Sequence, residues 1–160
     1  MRIKLIAVGT RMPDWVGTAF SEYAKRMPPI CQLELTEVPA IKRGKNADIP
    51  RILRDEASAI EAVIAAMPAP TQVIALDRKG RSIDTLALAK SQQQWIDDNQ
   101  NVALVIGGPE GLEPSFLGST HQTWSLSALT FAHPLVRVML AEQLYRAWSI
   151  NANLPYHRGD

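Results

Sequence analysis

The sequence predicts an α/β fold in which a parallel-rich sheet is covered by helices on both faces. Two observations support this prediction. Short apolar runs alternate with segments of helical spacing along the chain, in the order β-α-β-α-β-α-β-α-β-α. Most of these apolar runs are continuous, which is typical of parallel strands that are buried on both faces.

The first three elements are marked by residue type and by proline. The β-branched run IKLIAV, residues 3–8, ends at Gly9 and predicts a strand. A helix is expected to begin at Asp14 as its N-cap and to end before Pro28-Pro29. The segment QLELTEV, residues 32–38, alternates polar and apolar residues and predicts a strand with one wetter face.

The later elements follow the same logic. A helix from Asp48 to about Met67 carries an apolar stripe that indicates core packing. The buried run TQVIALD, residues 71–77, predicts a strand, and RKGRS, residues 78–82, predicts a turn. The remaining expectations are a helix over 84–98, a strand over 101–106, a short helix over 114–118, a short strand over 123–127 and a helix over 134–150. Without a linker or repeat, residues 1–160 are expected to form one domain.

Composition argues against several kinds of partner and site. Seventeen basic and sixteen acidic residues give a net charge of +1, so no overall field indicates a nucleic-acid partner. Cys31 is the only cysteine and the three histidines are scattered, which argues against a disulfide or a structural zinc site. Cys31 is expected to be a small residue at a strand edge. No signal peptide or membrane-spanning run is visible, so the protein is expected to be cytoplasmic.

Three loops after predicted strands have the composition of ligand-binding turns. They follow Leu76-Asp77, Ile106 and Leu126. The second, Gly107-Gly108-Pro109-Glu110-Gly111, lacks both the G-x-G-x-x-G spacing and the lysine of a phosphate-binding loop. Ligands of parallel sheets bind beyond the carboxyl ends of the strands. The loops therefore either form one pocket or are ordinary turns that contain glycine.

Several stretches together resemble one known family. They are AVGTRMPDWV, KRGKNADIPRIL, IGGPEGL, WSLSALTFAHPLVRVMLAEQLYRAWSI and the terminal PYHRGD. These stretches resemble the ribosomal RNA large-subunit methyltransferase H family, of the SPOUT class, from the first strand to the last residue. The resemblance implies a trefoil knot near the C-terminus and a homodimer. It also implies S-adenosylmethionine-dependent methylation of the N3 imino nitrogen of a pseudouridine in 23S ribosomal RNA, on the ribosome.

The resemblance also implies which residues contact the cofactor. In this chain they are Leu76, Gly108, Ser127, Ala128, Leu129, Thr130, Phe131 and Ala132. Many relatives have proline where Ala132 stands, a difference of small consequence if the contact is made by the backbone. S-adenosylmethionine carries no phosphate, so the absence of phosphate-binding motifs agrees with this cofactor. Glycine lets main-chain groups come close to such a ligand.

Two residues near the start of the last helix are candidates for catalysis. Methyl transfer to a ring nitrogen needs a positioned acceptor that loses its proton. His133 is the expected general base or orienting group, and the alternative is that it only caps the helix. Arg137 is expected to hold RNA phosphate or a base carbonyl. Its alternative is an ion pair with a residue such as Glu142.

Other groups are candidates for RNA binding and dimer formation. Tyr156, His157 and Arg158 pair an aromatic ring with a cation, although terminal segments are often frayed. Two basic clusters are either solvated loops or part of an RNA footprint; they are Lys42, Arg43 and Lys45, and Arg78, Lys79 and Arg81. The last helix is apolar over a broad surface, which favours a dimer interface over core packing alone.

Two other classes of function compete with the methyltransferase. A small dehydrogenase would use a different nucleotide cofactor, but the dinucleotide spacing is missing. A non-catalytic ribosome-binding factor could have the same fold without transferring a methyl group. Glu110 has no role in any of these interpretations.

Overall fold

The computed structural model describes residues 1–159 and contains five strands and five helices in alternation. The strands are β1 (Arg2–Val8), β2 (Gln32–Val38), β3 (Thr71–Ser82), β4 (Asn101–Ile106) and β5 (Gln122–Ser125). The helices are α1 (Asp14–Ala24), α2 (Ile49–Ala65), α3 (Thr85–Asp97), α4 (Pro114–Ser119) and α5 (His133–Asn151). The strands form one sheet in the order β2-β1-β4-β3-β5, and every neighbouring pair is parallel. The predicted α/β fold is confirmed.

Two hydrophobic clusters lie on opposite faces of the sheet. Leu5 belongs to the cluster that includes side chains of α1, α3 and α5, such as Phe20 and Leu140. The next residue, Ile6, belongs to the cluster that includes Ile60 of α2 and side chains of α4. Because successive side chains of a strand point to opposite faces, both must be apolar when helices cover both faces. This explains why β1 is a continuous apolar run.

Helix starts agree with the sequence where a side chain caps the helix. The Asp48 carboxylate accepts a hydrogen bond from the Arg51 backbone N–H at 3.2 Å, and Asp84 caps α3 in the same way. Asp14 is not an N-cap: Pro13 occupies that position, and no side chain caps α1. An acidic residue in the first turn stabilises a helix through its dipole without being the cap.

The predicted turn over residues 78–82 is wrong, because β3 continues to Ser82. The pairing of β3 with β5 is interrupted between Leu76 and Arg81 and then resumes. Gly80 allows this arrangement, since a Cβ at this position would lie 2.7 Å from the carbonyl oxygen of Thr123 in β5. Close backbone approach is a common reason for glycine within a strand.

The last helix packs on two neighbours within the chain. α5 contacts both α1 and α3, and Leu140, Ala141 and Leu144 are fully buried there. The buried Gln92 of α3 donates a hydrogen bond to the Leu144 carbonyl at 2.9 Å. Much of the apolar surface that the sequence assigns to a dimer interface is therefore buried inside the chain, although Leu135 remains 40% exposed. Dimer formation stays a prediction.

Cys31 directly precedes β2 and is completely buried. Burial raises the pKa of its thiol to about 12, so the unreactive neutral form is favoured. This agrees with the expected role as a small apolar residue. Among residues 1–159, no helix is long and apolar enough to cross a membrane, and no group of His, Cys, Asp or Glu is placed to hold a metal ion.

We predict that Gly80→Ala destabilises the protein by about 1–3 kcal/mol, the usual cost of overpacking a closed site. The added methyl group would overlap the β5 backbone at Thr123. Gly118→Ala is the matched control, because a Cβ at Gly118 in α4 meets nothing within 4 Å. Urea unfolding would measure both changes. Equal stabilities of the two variants would contradict the role assigned to Gly80.

Candidate functional site

The irregular part of β3 at residues 76–78 and the loops after β4 and β5 surround one cavity of about 650 Å³. The structure therefore favours the one-pocket interpretation over ordinary turns. Of the residues that the family resemblance implies for the cofactor, those on the cavity wall are Leu76, Gly108, Ser127, Leu129, Thr130, Phe131 and Ala132. Ala128 is exposed and does not line the cavity. These positions lie far apart in sequence, and the parallel sheet brings them to the same edge.

The glycine turn, residues 107–111, forms one wall of the cavity from backbone atoms. A Cβ on Gly107 would lie 2.6 Å from the carbonyl group of Gly111, so no other residue fits without movement of the turn. Gly111 has a φ of +79°, which L side chains rarely adopt, and its N–H donates to the Gly108 carbonyl at 3.0 Å. The shape of the turn therefore depends on Gly107 and Gly111 as well as on Gly108. In the sequence, the occurrence of three glycines within five residues could have indicated this.

Gly108 faces the cavity, but its missing Cβ points elsewhere. A Cβ on Gly108 would approach the Val8 side chain at 3.1 Å and the Arg43 guanidinium at 3.6 Å. Neither residue lines the cavity. A side chain at this position would therefore change the cavity by displacing the turn and not by filling the cavity itself.

The loop between β5 and α5 forms the opposite wall. The Ser127 hydroxyl accepts a hydrogen bond from the Leu129 backbone N–H, and the Ser125 hydroxyl donates to the Ser127 carbonyl, both at 3.0 Å. Arg78 of β3 donates a hydrogen bond to the Thr130 hydroxyl at 3.2 Å and thereby connects this loop to β3. Leu129 is 69% exposed beside the cavity, which makes it available to cover an apolar ligand.

His133 is the first residue of α5 and lines the cavity. The interpretation of His133 as a helix cap is wrong, because Ala132 is the N-cap and no side chain caps α5. Burial lowers the pKa of the His133 imidazole, and the charge of Arg137 lowers it further. The neutral imidazole, which can accept a proton, is therefore favoured at neutral pH.

Arg137 is only 1% exposed and acts as an internal connection. Its Nη1 donates to the Glu37 carboxylate at 2.6 Å, and its Nη2 donates to the Gly9 carbonyl at 2.7 Å. Nε is buried without a hydrogen-bond partner among the residues that the structure describes. Arg137 therefore forms an ion pair, as the alternative interpretation expected, but its partner is Glu37 and not Glu142, which pairs with Arg146 at 2.7 Å.

Gly9 is a site residue that the sequence indicated only as the end of a strand. Its φ is +117°, a conformation that glycine adopts readily. A Cβ on Gly9 would lie 3.5 Å from the Arg137 guanidinium and 3.9 Å from Nε2 of His133. Both are ordinary contact distances, and the tighter contact would be with the Met12 side chain at 3.0 Å, so the positive φ is the main reason for glycine at this position.

The C-terminal tail packs on α5 instead of fraying. The Tyr156 hydroxyl donates to Glu142 at 2.9 Å, and its ring contacts Tyr145 edge-on with centroids 4.8 Å apart. Burial, aided by the hydrogen bond to Glu142, raises the pKa of Tyr156 to about 12. His157 shares a hydrogen bond with Ser149 at 3.0 Å, while Arg158 is exposed. None of these tail residues lines the cavity. Asp160 lies outside the described residues.

The two basic clusters differ in structure. Lys42 and Lys45 are exposed, as expected of a solvated loop. Arg43 between them has a side chain only 17% exposed and pairs with Glu56 of α2 at 3.1 Å. In the second cluster, Arg78, Lys79 and Arg81 are all exposed, and Arg78 also lines the cavity.

Comparison with known proteins identifies the class. Residues 1–157 match a family described as "Predicted SPOUT methyltransferase". The chain belongs to this SPOUT methyltransferase family. Two solved structures, each under 20% identical, share its fold. A probable methyltransferase from Bordetella pertussis Tohama I has a TM-score of 0.58 at 18% identity, over 91% of this chain and 95% of that one. A probable methylase family protein from Haemophilus influenzae Rd KW20 has a TM-score of 0.56 at 16% identity, over 98% of this chain and 70% of that one.

We predict that His133 titrates below its ordinary pKa of about 6.5. Between the pKa of the folded chain and about 6.5, the unfolded chain binds more protons at this residue than the folded chain does. The contribution of His133 to the free energy of unfolding should therefore decrease as pH falls through this range, and it should be constant above pH of about 6.5. NMR titration of the imidazole protons would measure the pKa, and loss of a signal in His133→Gln would identify the resonance of His133. A midpoint at or above 6.5 would contradict the prediction.

Proposed function

We propose that this SPOUT methyltransferase uses S-adenosylmethionine to methylate the N3 imino nitrogen of a pseudouridine in 23S ribosomal RNA. The observation that carries the proposal is the convergence of three distant segments on one cavity, at seven of the eight positions that the family resemblance implies for the cofactor. The substrate rests on that resemblance. In keeping with it, we propose a cytoplasmic homodimer with a C-terminal trefoil knot that acts on assembled ribosomes.

The cavity fits the proposed cofactor in size and chemistry. Its volume of about 650 Å³ lies within the usual range for small-molecule sites. Leu76, Leu129 and Phe131 offer apolar surface for an adenine ring, and the glycine turn offers backbone donors and acceptors. The cofactor supplies an activated methyl group. The protein has to hold that group in line with the acceptor nitrogen.

His133 is the proposed general base. It lies on the cavity wall, and its lowered pKa keeps the imidazole neutral and able to take the N3 proton. For Arg137 we propose a positioning role in place of the expected RNA contact, because Glu37 and Gly9 already occupy its terminal nitrogens. The guanidinium holds the start of α5, and with it His133, against the end of β1.

The proposed RNA footprint extends beyond the cavity. The tail residues Tyr156, His157 and Arg158 do not line the cavity of their own chain, and Arg158 is exposed. Further positive charges come from the exposed side chains of Lys42, Lys45, Arg78, Lys79 and Arg81. With a net charge of +1, one chain provides a weak electrostatic attraction for RNA. A footprint across two subunits and a preference for assembled ribosomes agree with this distribution.

The proposal predicts loss of one methyl group from ribosomal RNA in cells without this gene. Mass spectrometry of nucleosides would show methylpseudouridine in wild-type ribosomes and none in the deletion strain. Purified protein should restore the mark with labelled S-adenosylmethionine. Ribosome association without methyl transfer would contradict this proposal and favour the non-catalytic binding factor. Stabilisation of the protein by NAD, with none by S-adenosylhomocysteine, would contradict it in favour of a dehydrogenase.

We predict that Gly108→Val weakens S-adenosylhomocysteine binding at least about tenfold, or about 1.4 kcal/mol. Pressure of the new side chain on Val8 displaces the turn that forms the cavity wall. The fold should persist, because overpacking costs about 1–3 kcal/mol against a total stability of about 5–15 kcal/mol. Calorimetric titration would measure affinity, and circular dichroism would check folding.

Gly17→Val is the matched control for this variant. Gly17 lies in α1, and a Cβ on it meets nothing within 4 Å. This control should bind S-adenosylhomocysteine like the wild type. Unchanged affinity of a folded Gly108→Val protein would refute the assignment of the glycine turn to the cofactor.

A further inference from the structure

Glu110 is the one residue of the glycine turn whose side chain can form hydrogen bonds or ion pairs. Its four companions in residues 107–111 are glycine or proline. Glu110 does not line the cavity. Its carboxylate instead lies 3.7 Å from Nε of Arg43. Arg43 belongs to the loop between β2 and α2, residues 39–48. Glu110 can therefore attach the turn to the rest of the protein through its side chain.

Arg43 is anchored on its other side by Glu56 of α2. Nη1 and Nη2 of Arg43 contact the two carboxylate oxygens of Glu56 at 3.3 and 3.1 Å. Glu56 is 2% exposed and also accepts a hydrogen bond from the Ile41 backbone N–H at 3.1 Å. A two-pronged arginine–carboxylate contact of this kind fixes direction as well as distance.

The Arg43 guanidinium lies behind the cavity wall. Its Nη2 is 3.6 Å from the position that a Cβ on Gly108 would occupy. Its Nε is buried without a hydrogen-bond partner among residues 1–159, and Glu110 provides the negative charge beside it. Arg43 thus pairs with Glu110 of the turn and lies next to Gly108, while Glu56 connects it to α2.

We propose that Glu56, Arg43 and Glu110 form a charge clamp that positions the glycine turn for ligand binding. The three act as positioning residues, because none of them lines the cavity. The identity of the ligand, but not the clamp itself, rests on the proposed function. The clamp gives Glu110 a role and explains why Arg43 is less exposed than Lys42 and Lys45 in the same loop.

The physical reason is conformational entropy. Glycine has more backbone freedom to lose than any other residue, so a turn with three glycines is costly to order. Ordering that occurs during binding weakens affinity, whereas a turn that is already held does not incur that cost. The clamp restricts the turn before the ligand arrives. Because Glu110 is partly exposed, its contribution should depend on salt.

Ligand affinity tests the clamp through a double-mutant cycle. Glu110→Gln removes one charge, and Arg43→Lys retains the charge but loses the two-pronged contact. Each variant should bind S-adenosylhomocysteine about two- to fivefold more weakly, the range for a partly exposed ion pair. The double variant should bind S-adenosylhomocysteine no more weakly than Arg43→Lys alone, because both changes interrupt the same connection from Glu56 through Arg43 to Glu110. In about 1 M salt, Glu110→Gln should match the wild type.

Hydrogen–deuterium exchange without ligand tests the clamp independently. Amides of the turn, including the Gly111 N–H that bonds to the Gly108 carbonyl, should exchange faster in Glu110→Gln and in Arg43→Lys. Glu61→Gln, an exposed change elsewhere on α2, is the matched control and should leave exchange and affinity unchanged. The melting temperature of Glu110→Gln should equal that of the wild type, which separates positioning from general destabilisation.

The outcomes separate this inference from the proposed function. If the wild-type protein does not bind S-adenosylhomocysteine, the proposed function fails, and exchange of the turn still decides the clamp. Unchanged exchange in both variants would overturn the clamp even if methyl transfer is confirmed. The positioning role would also be overturned if amides of the turn exchange faster in both variants while their affinity for S-adenosylhomocysteine equals that of a wild-type protein that binds it.

Discussion

The buried guanidinium of Arg137 is the interaction on which the arrangement of the site depends. It joins α5 to the ends of β1 and β2 through the Gly9 carbonyl and Glu37. A buried arginine without partners would be strongly destabilising, so these contacts specify one position of the helix on the sheet. His133 sits one turn earlier on α5 and is held at the cavity by that position. Burial lowers the pKa of His133, and the charge of Arg137 lowers it further.

The site is built largely from backbone, which explains why familiar nucleotide motifs are absent. Gly107, Gly108 and Gly111 bring main-chain groups to the cavity, and the loop after β5 is shaped by its own serine hydroxyls. A ligand without phosphate needs no concentrated positive charge, in contrast to nucleotide sites at helix N-termini. The cationic side chains nearby therefore serve the protein itself, as Arg137 and Arg43 do, or remain at the surface.

Sequence reasoning succeeded where local signals determine structure. The continuous apolar strands and the helix starts at Asp48 and Asp84 were predicted correctly, because they depend on interactions within a few residues. It was wrong at residues 78–82, because polar segments that contain glycine are typical of turns. There β5, about forty residues later, pairs with the end of β3 and keeps it extended. Of the cofactor residues implied by family resemblance, most line the cavity, and Ala128 does not.

The sequence by itself determined the order of helices and strands, the parallel α/β class and the family, because these depend on local periodicity and on motifs of contiguous residues. Only the tertiary structure decided the partners of the charged groups. Glu37 and Arg137 are separated by 100 residues, and Arg43 meets Glu110 across the end of the sheet. Such pairings follow from the crossing of distant segments over parallel strands. No spacing within one segment of the chain encodes them.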